Sequence, residues 1–305
     1  MVAPLKLAVT GATGFVGGRL LELAIAEGHE IRALTRRAQQ PRDHVAWVEG
    51  ALDNPESLER LVEGADAVIH VAGVINAPDP ARFEAGNVTG TAAVLAAAEG
   101  SGTKRFVHVS SLAAREPKLS IYGATKAGSE ALVSASRIPS AIVRPPAVYG
   151  PGDKETLELF RMASHGIVLL PPEGRLSLIH VDDLARLLLA LADPASPKGL
   201  LVEPDDGRHS GWTHREFGKA LGESLGRGVI TFSAPRPILN LCSGIDRLVR
   251  RDRAKLTKDR VAYFCHPDWM VDPGRGAPEA IWRPQVGTKE GLADTARWYR
   301  EAGWL

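Results

Sequence analysis

The chain has 305 residues, 44% of them hydrophobic, and its 37 basic and 36 acidic side chains leave a formal net charge of +1. A nearly neutral chain has no global field that recruits nucleic acid or an anionic membrane, so we expect no nucleic-acid partner. Cys242 and Cys265 have neither metal-site nor disulfide spacing, no cleavable leader is recognisable, and no stretch suits a membrane span. We therefore expect a soluble, cytoplasmic protein without a metal.

The first half of the sequence alternates strands with helices. Hydrophobic periodicity predicts strands over residues 5–10, 29–34, 45–48, 67–71, 106–109 and 141–143. The helices predicted between them cover residues 18–27, 55–62, 90–99 and 122–136. Alternation of this kind favours an α/β fold, a doubly wound parallel sheet of the Rossmann type.

The second half is less regular. Helices are predicted over residues 155–163 and 183–192, strands over 176–180 and 200–203, and Thr213 with Glu216 has capping-box spacing. We expect residues 1–150 to form a dinucleotide-binding core whose sheet is joined by the strands from about 176 to 203. Residues 151–305 would mostly form a smaller, substrate-binding lobe.

A glycine-rich turn follows the first predicted strand. Gly11, Gly14 and Gly17 permit close backbone approach, and the helix after them offers free N–H groups to a pyrophosphate. The alternative is a connection that merely tolerates glycine. The second strand is followed by Arg36 and Arg37 where a ribose-binding carboxylate would favour NAD. This pattern predicts NADP rather than NAD, unless both arginines are ordinary solvated charges.

Tyr122 and Lys126 lie four residues apart in a predicted helix and so share one of its faces. An ammonium beside a phenol favours the phenolate, which lowers the pKa of the tyrosine and suits it to proton transfer. The alternative is a chance pair on a solvated surface. The catalytic interpretation also requires a hydride carrier, which the glycine turn would bind.

The order of several motifs resembles the short-chain dehydrogenase/reductase superfamily, in particular the extended or atypical NAD(P)-dependent epimerase/dehydratase branch. The residues that carry this resemblance are Gly11, Gly14, Gly17, His70–Gly73, Asn87–Thr91, Ser110, Ser111, Tyr122, Lys126, Arg144–Gly152, His180–Asp183 and 291–298.

The resemblance implies a role for each matched residue. Tyr122 would be the general acid/base, Lys126 would bind the nicotinamide ribose, and Ser111 rather than Ser110 would hydrogen-bond the reacting oxygen. The cofactor-binding residues would be Gly11, Thr13, Gly14, Phe15, Val16, Gly17, Arg36, Leu52, Ala72, Gly73, Asn87, Lys126, Pro145 and Val148.

The leading hypothesis is an NADP-preferring oxidoreductase that moves a hydride between nicotinamide and a carbonyl or secondary alcohol of a small molecule. One alternative is a nucleotide-sugar epimerase or dehydratase with transient hydride transfer; another is a non-catalytic NAD(P)-binding sensor or accessory subunit. Three departures from the family pattern weaken a nucleotide-sugar substrate. Ala51 replaces an aspartate, the interval from Ser111 to Tyr122 is short, and Leu176 replaces a phosphate-binding arginine, with Arg175 one position away.

Other polar residues have simpler interpretations. One of Asp182 and Asp183 is expected to cap the following helix, and His70 and His108 are expected to be hydrogen-bonded core histidines. Four tryptophans (Trp269, Trp282, Trp298 and Trp304) are expected to pack within the lobe.

Residues 236–260 combine apolar residues at helical spacing with eight basic and three acidic side chains. We expect the apolar face to pack on the core of the lobe, with the arginines in water. The alternatives are an anionic substrate tail or peripheral contact with an acidic membrane. A homodimer is a further expectation.

Overall fold

The structure is a computed structural model that describes residues 4–77, 79–251, 254 and 256–305. The chain forms two compact units. Unit one comprises the chain up to Arg144 together with Leu184–Val202 and Ala277–Trp282, and unit two comprises Pro145–Asp183, Glu203–Gly276 and Arg283–Leu305. The chain thus returns twice to unit one after residue 150. A single domain boundary at that residue therefore does not describe the two units.

The strands are, in chain order, β1 (Lys6–Thr10), β2 (Glu30–Thr35), β3 (Val45–Glu49), β4 (Ala67–His70), β5 (Arg105–Val109), β6 (Ser140–Val143), β7 (Ala147–Tyr149), β8 (Ile167–Leu170), β9 (Arg175–Leu176), β10 (Leu178–His180), β11 (Leu200–Val202), β12 (Trp212–Thr213), β13 (Ile230–Ser233) and β14 (Asp268–Trp269).

The α-helices are α1 (Phe15–Ala26), α2 (Pro55–Val62), α3 (Pro80–Phe83), α4 (Gly90–Gly100), α5 (Ile121–Ala135), α6 (Leu157–Ser164), α7 (Val181–Ala192), α8 (His214–Ser224), α9 (Arg236–Arg250), α10 (Lys258–Phe264) and α11 (Thr288–Glu301). A π-helix (Glu84–Thr89) precedes α4, and 3₁₀ turns occur at Leu112–Arg115 and Pro273–Arg275. None of the described helices is long and apolar enough to cross a membrane.

Unit one contains a seven-stranded sheet in the order β11-β6-β5-β4-β1-β2-β3, and every pair of neighbours is parallel. This arrangement confirms the predicted Rossmann fold. The strand order reverses beside β1, whose neighbours are β2 and β4. The turns that follow β1 and β4 therefore lie side by side at the carboxyl edge of the sheet, where open α/β sheets bind ligands.

The prediction that strands from about residue 176 join this sheet was wrong for all but β11. Residues 176–180 do not form one strand: β9 pairs with β12 and β14, and β10 pairs with β7. Val148 lies opposite Ile179 and Tyr149 opposite His180, so these pairings satisfy the backbone of β10 within unit two.

The predicted helices occur with small shifts at their ends. α1 begins at Phe15 rather than near residue 18, because the glycine turn itself contributes the first helical turn. The capping box at Thr213 and Glu216 is present in both directions, as its spacing predicts. α2, α4 and α5 bury Leu58, Val94 and Val133 in one apolar cluster with Phe106 of β5, so they cover one face of the sheet.

Unit two has its own core, formed by aromatic and aliphatic side chains of α6, α8 and α11. Phe160 and Tyr299 make an edge-to-face ring contact, and Trp298 and Trp304 pack against the same cluster. Trp269 is also buried, and its indole N–H donates to the carbonyl of Tyr263. These three tryptophans therefore pack within the lobe as expected, whereas Trp282 belongs to unit one, so the expectation was wrong for it.

Candidate active site

The glycine turn joins three segments of backbone at very short range. Gly11 has a φ of +73°, and a Cβ there would lie 2.6 Å from the Ala72 nitrogen. A Cβ on Gly17 would lie 2.1 Å from the Gly11 carbonyl oxygen. No other residue fits either position without displacement of main chain, so glycine is required where β1, α1 and the end of β4 meet.

The first turn of α1 is open to an anion. Gly14 is the N-cap, and no side chain of the described residues caps the helix, which leaves its first amide N–H groups available. Thr13 and Gly14 are exposed, while Phe15 and Val16 are half-buried. Unpaired N–H groups at the positive end of a helix dipole are suited to a phosphate. The turn therefore fits the pyrophosphate of a dinucleotide.

Arg36 and Arg37 are exposed at the end of β2. The Thr35 hydroxyl donates to the Arg37 carbonyl oxygen at 2.7 Å, which fixes the backbone of this turn. Within the described part of the chain, the Arg36 guanidinium has no hydrogen-bond or ion-pair partner. Leu52 is half-buried and packs at the start of α4, where a Cβ on Gly90 would lie 2.7 Å from Leu52 Cδ1.

A buried polar chain supports the turn after β4. His70 Nδ1 is 2.7 Å from Thr10 Oγ1, and His70 Nε2 is 3.0 Å from Thr91 Oγ1. The Ala72 amide donates to Thr10 Oγ1 at 3.2 Å. Burial, assisted by the charge of Lys126, lowers the pKa of His70 to about 3, so the ring is neutral. His70 is a hydrogen-bonded core histidine, as expected.

His108 matches the same expectation only in part. It stacks on His70 and its Nε2 is 2.9 Å from Ser129 Oγ, but its Nδ1 is buried without a partner among the described residues.

Asn87 joins the loop after β4 to α5. Its Oδ1 accepts from the Val74 amide at 2.7 Å, and its Nδ2 donates to the Val74 carbonyl oxygen at 2.9 Å and to Thr125 Oγ1 at 3.0 Å. Gly73 is exposed and lies beside this amide, since a Cβ there would be 3.1 Å from Asn87 Oδ1 and 3.7 Å from Lys126 Nζ. Gly73, Asn87 and Lys126 thus belong to one cluster.

α5 carries Tyr122 and Lys126. The helix begins after Ser120, whose hydroxyl oxygen accepts from the Gly123 amide at 3.0 Å. Lys126 is buried, and its Nζ donates to the Val109 carbonyl oxygen at 2.7 Å. Burial lowers the pKa of Lys126 to about 8, against the opposing charge of Glu130. Tyr122 is half-buried one turn earlier on the helix.

The two serines after β5 have different partners. The Ser110 hydroxyl donates to Glu130 Oε1, so it is engaged with a buried carboxylate. Ser111 caps the short 3₁₀ turn, and its Oγ accepts from the Ala113 amide at 3.2 Å. An accepting hydroxyl oxygen still has its own proton to donate. The choice of Ser111 over Ser110 as the partner of the reacting oxygen stays a prediction.

Glu130 and Arg144 were not identified from the sequence. Arg144 donates from Nε to Glu130 Oε1 at 2.8 Å and from Nη2 to Oε2 at 2.6 Å, and both side chains are largely buried. Glu130 lies one turn after Lys126 on α5. Arg144 is the first residue of a motif that carries the family resemblance, and this motif was the sequence signal that could have identified it.

Several other expected residues lie in unit two. Pro145 is buried and Val148 is half-buried there, with Val148 paired to Ile179. Arg175 donates from Nε to the Ser210 carbonyl oxygen at 2.9 Å, so its guanidinium is engaged by the chain itself.

The expectation that Asp182 or Asp183 caps a helix was wrong. α7 begins at Val181, and the buried Asp183 carboxylate accepts from the amides of Gln285 and Val286 at 2.8 and 3.0 Å. A buried carboxylate requires hydrogen-bond donors, and this loop supplies them. The described residues contain no cluster of side chains suited to a metal ion.

The fold and this site define an α/β nucleotide-binding oxidoreductase of the short-chain dehydrogenase/reductase superfamily. The chain belongs to the NAD dependent epimerase/dehydratase family, whose model matches residues 7–200. The resemblance based on the motifs is thereby confirmed, and the family is enzymatic and NAD-dependent.

Named relatives cover nearly the whole chain. A ceramide reductase of Caulobacter vibrioides is 38% identical over 98% of this chain and 96% of its own length. A 2-alkyl-3-oxoalkanoate reductase of Stenotrophomonas maltophilia is 28% identical over 94% of this chain and 97% of its own. Among solved structures, the Bordetella bronchiseptica enzyme WbmG in complex with NAD and UDP superposes with a TM-score of 0.78 at 19% identity, covering 99% of this chain and 97% of that one. This structural similarity concerns the fold.

Proposed function

We propose that the chain is an NAD(P)-dependent reductase that converts a ketone on an acyl-chain lipid into a secondary alcohol. The observation that carries the proposal is the position of Lys126, buried on α5 one turn from Tyr122 and donating to the carbonyl of Val109. A buried amine with a fixed partner is suited to hold a cofactor ribose and to adjust the acidity of a neighbouring phenol.

The chemistry of reduction requires a hydride and a proton. A bound reduced nicotinamide would supply the hydride for the carbonyl carbon and would itself be oxidised. The Tyr122 hydroxyl donates the proton to the carbonyl oxygen, and the Ser111 hydroxyl donates a hydrogen bond that orients this oxygen. Lys126, when protonated, favours the phenolate that remains on Tyr122.

The residues of unit one fit a dinucleotide. The uncapped start of α1 would hold the pyrophosphate, with Thr13, Phe15 and Val16 lining the turn. The backbone of Ala72 and Gly73 would contact the adenosine side, with Asn87 holding their loop in place. Leu52 would border the adenine. The contacts of Pro145 and Val148 with the nicotinamide stay a prediction of the family resemblance.

We further propose a preference for NADP over NAD. The support is the exposed Arg36 guanidinium, which lacks a partner among the described residues, at the end of the strand where a 2′-phosphate would lie.

The lipid substrate is favoured by two observations. The relative that is 38% identical over nearly the full length is named a ceramide reductase, and a second full-length relative is named for a 3-oxoalkanoate. In addition, Leu176 stands where an arginine would hold nucleotide phosphates, and Arg175 is engaged by Ser210. Free thiols at Cys242 and Cys265 support the further proposal that the enzyme works in the reducing cytoplasm.

The direct test follows the absorbance of reduced nicotinamide with a 3-oxo long-chain lipid, with NADPH and NADH in parallel. We expect net oxidation of the cofactor and a loss of roughly 100- to 10,000-fold in turnover for Tyr122→Phe, with cofactor affinity retained. Tyr263→Phe is the matched control in unit two, and we expect it to retain turnover. Unchanged turnover in Tyr122→Phe would contradict the mechanism.

A nucleotide-sugar epimerase is the second candidate, because a UDP-glucose 4-epimerase of Vibrio cholerae is 25% identical over 72% of this chain. Conversion of UDP-glucose without net change in the cofactor would establish it instead. Dinucleotide binding with no turnover of either substrate would favour a non-catalytic sensor.

A further inference from the structure

The most apolar side of α9 faces away from the residues on which the helix packs. Leu239 and Ser243 are the buried residues of the helix, whereas five large apolar side chains have 52% to 82% of their surface exposed. These five residues, called the α9 surface below, are Ile238, Leu241, Ile245, Leu248 and Val249. At 3.6 residues per turn they fall within an arc of about 100°.

The expectation that this apolar face packs on the core of the lobe was therefore wrong. The contact is made by another side of the helix, where Leu239 joins Ala234 and Val261 in a small cluster. The five residues of the α9 surface do not belong to that cluster and are exposed to water.

A second exposed apolar surface lies on β13, the strand that precedes α9 in the chain, and on its partner β8. Ile167 of β8 is paired with Ile230 of β13, and Leu169 with Phe232, and all four side chains are exposed. Alternate residues of a strand share a face, so the four form one patch, called the β8–β13 patch below. Of the ten large apolar side chains that are exposed in the described part of the chain, nine lie in these two surfaces. A concentration of this kind marks an interaction surface.

The exposed charges of α9 lie on the side of the helix away from the α9 surface, and they are positive. Arg236, Arg247, Arg250 and Arg251 are exposed on α9 and at its end. The one acid of α9, Asp246, has a largely buried side chain that pairs with Arg250 and accepts from the Leu256 amide. Arg253 and Lys255, which contribute to the basic excess of the sequence, lie outside the described residues.

We propose that the α9 surface and the β8–β13 patch dock on an anionic lipid bilayer. The apolar side chains would insert at the level of the acyl chains, and the arginines would extend to the headgroup phosphates, as their long side chains permit. A second copy of the chain is the poorer occupant, because its α9 is equally positive and its one acid, Asp246, is already paired, so it offers the arginines no anionic partner.

Docking is independent of the proposed reaction, so it is measured as binding. Sedimentation with vesicles compares phosphatidylcholine alone with a mixture containing phosphatidylglycerol. We expect the wild-type protein to pellet with the anionic vesicles, at least tenfold more than with the neutral ones, and to be released by high salt.

Paired substitutions separate the apolar contribution from the electrostatic one. The double variant Ile245→Asp, Leu248→Asp should lose binding to both kinds of vesicle. The control variant Lys198→Glu in unit one makes the same change in formal charge and should retain vesicle binding. Arg247→Gln with Arg251→Gln should lose roughly tenfold in affinity for anionic vesicles, and Arg247→Lys with Arg251→Lys should retain most of it. All these side chains are exposed, and unchanged circular dichroism and melting temperature verify folding.

Two results would overturn the proposal. The first is a wild-type protein that stays in the supernatant with both vesicle types at low salt. The second is undiminished vesicle binding by the Ile245→Asp, Leu248→Asp variant. A wild-type dimer that this variant dissociates, with no vesicle binding, would assign the surface to a second copy instead.

Discussion

The carboxylate of Glu130 accepts two hydrogen bonds from the guanidinium of Arg144, at 2.8 Å from Nε and 2.6 Å from Nη2. Ser110 donates a third hydrogen bond to the same carboxylate. Glu130 lies on α5 one turn after Lys126, whereas Ser110 and Arg144 directly follow β5 and β6. The pair therefore fixes the helix that carries Tyr122 and Lys126 against the carboxyl ends of two strands.

Glu130→Gln should destabilise unit one and alter the site at the same time. It leaves the Arg144 charge buried without its partner, which costs about 3 to 5 kcal/mol. The Glu130 charge also raises the pKa of Lys126, so its removal should shift the alkaline limb of the activity profile to lower pH.

The measurements for Glu130→Gln are the melting temperature and the pH dependence of turnover. The double variant Glu130→Leu, Arg144→Met is the control for stability, because it removes both charges and should be less destabilised than the single variant. A purely structural role for Glu130 predicts lower stability with an unmoved alkaline limb.

Lys126→Met should reveal the energetic cost of the buried amine. The pKa of Lys126 is lowered from 10.5 to about 8, so the unfolded chain binds more protons than the folded one between these values. The free energy of unfolding of the wild type should therefore rise with pH by about 3 kcal/mol through this range. This gain is absent below about pH 8, where the amine is protonated in both the folded and the unfolded chain.

The variant lacks this titration. The melting temperature of the wild type minus that of Lys126→Met should thus increase between pH 8 and pH 10.5. A difference that is constant with pH would show that Lys126 titrates normally. Turnover of the wild type should fall as the pH rises above about 8, because the neutral amine no longer favours the Tyr122 phenolate.

Gly17→Ala should abolish dinucleotide binding. The new Cβ would lie 2.1 Å from the Gly11 carbonyl oxygen, so β1 and α1 would have to separate. Gly18→Ala is the matched control, since the nearest atom to a Cβ there is the Ala12 carbonyl oxygen at 3.9 Å. Calorimetric titration with NADPH should show loss of binding in the first variant and retention in the second, and equal affinities would refute the close contact.

Arg36→Ala should weaken NADP more than NAD. Loss of a charged hydrogen-bond donor to the 2′-phosphate should raise the KM for NADPH by at least roughly tenfold and leave the KM for NADH nearly unchanged. Arg37→Ala tests whether the neighbouring arginine contributes. Equal changes for both cofactors would remove the structural basis of the proposed preference.

The sequence predicts this fold and much of the site where the determining contacts are local. Gly11, Gly14 and Gly17 belong to one turn, and Tyr122 and Lys126 to one helix, so spacing alone suggests their relationship. The pairing of Glu130 with Arg144 depends on how α5 packs beside β6, and no local pattern encodes it. The same limit applies to α9, because helical periodicity defines an apolar face without indicating which side meets the core.

The π-helix at Glu84–Thr89 has a consequence for chain length. Its last hydrogen bond runs from the Gly90 amide to the Ala85 carbonyl oxygen, five residues back, so this turn contains one more residue than an α-helical turn would. That additional residue sets the angle at which Asn87 leaves the helix axis and reaches Val74. A single-residue deletion here would convert the π-turn into an α-helical turn and shift Asn87 away from Val74. The number of residues between α3 and α4 thus determines the position of the Asn87 side chain as much as the identity of the residue determines its hydrogen bonds.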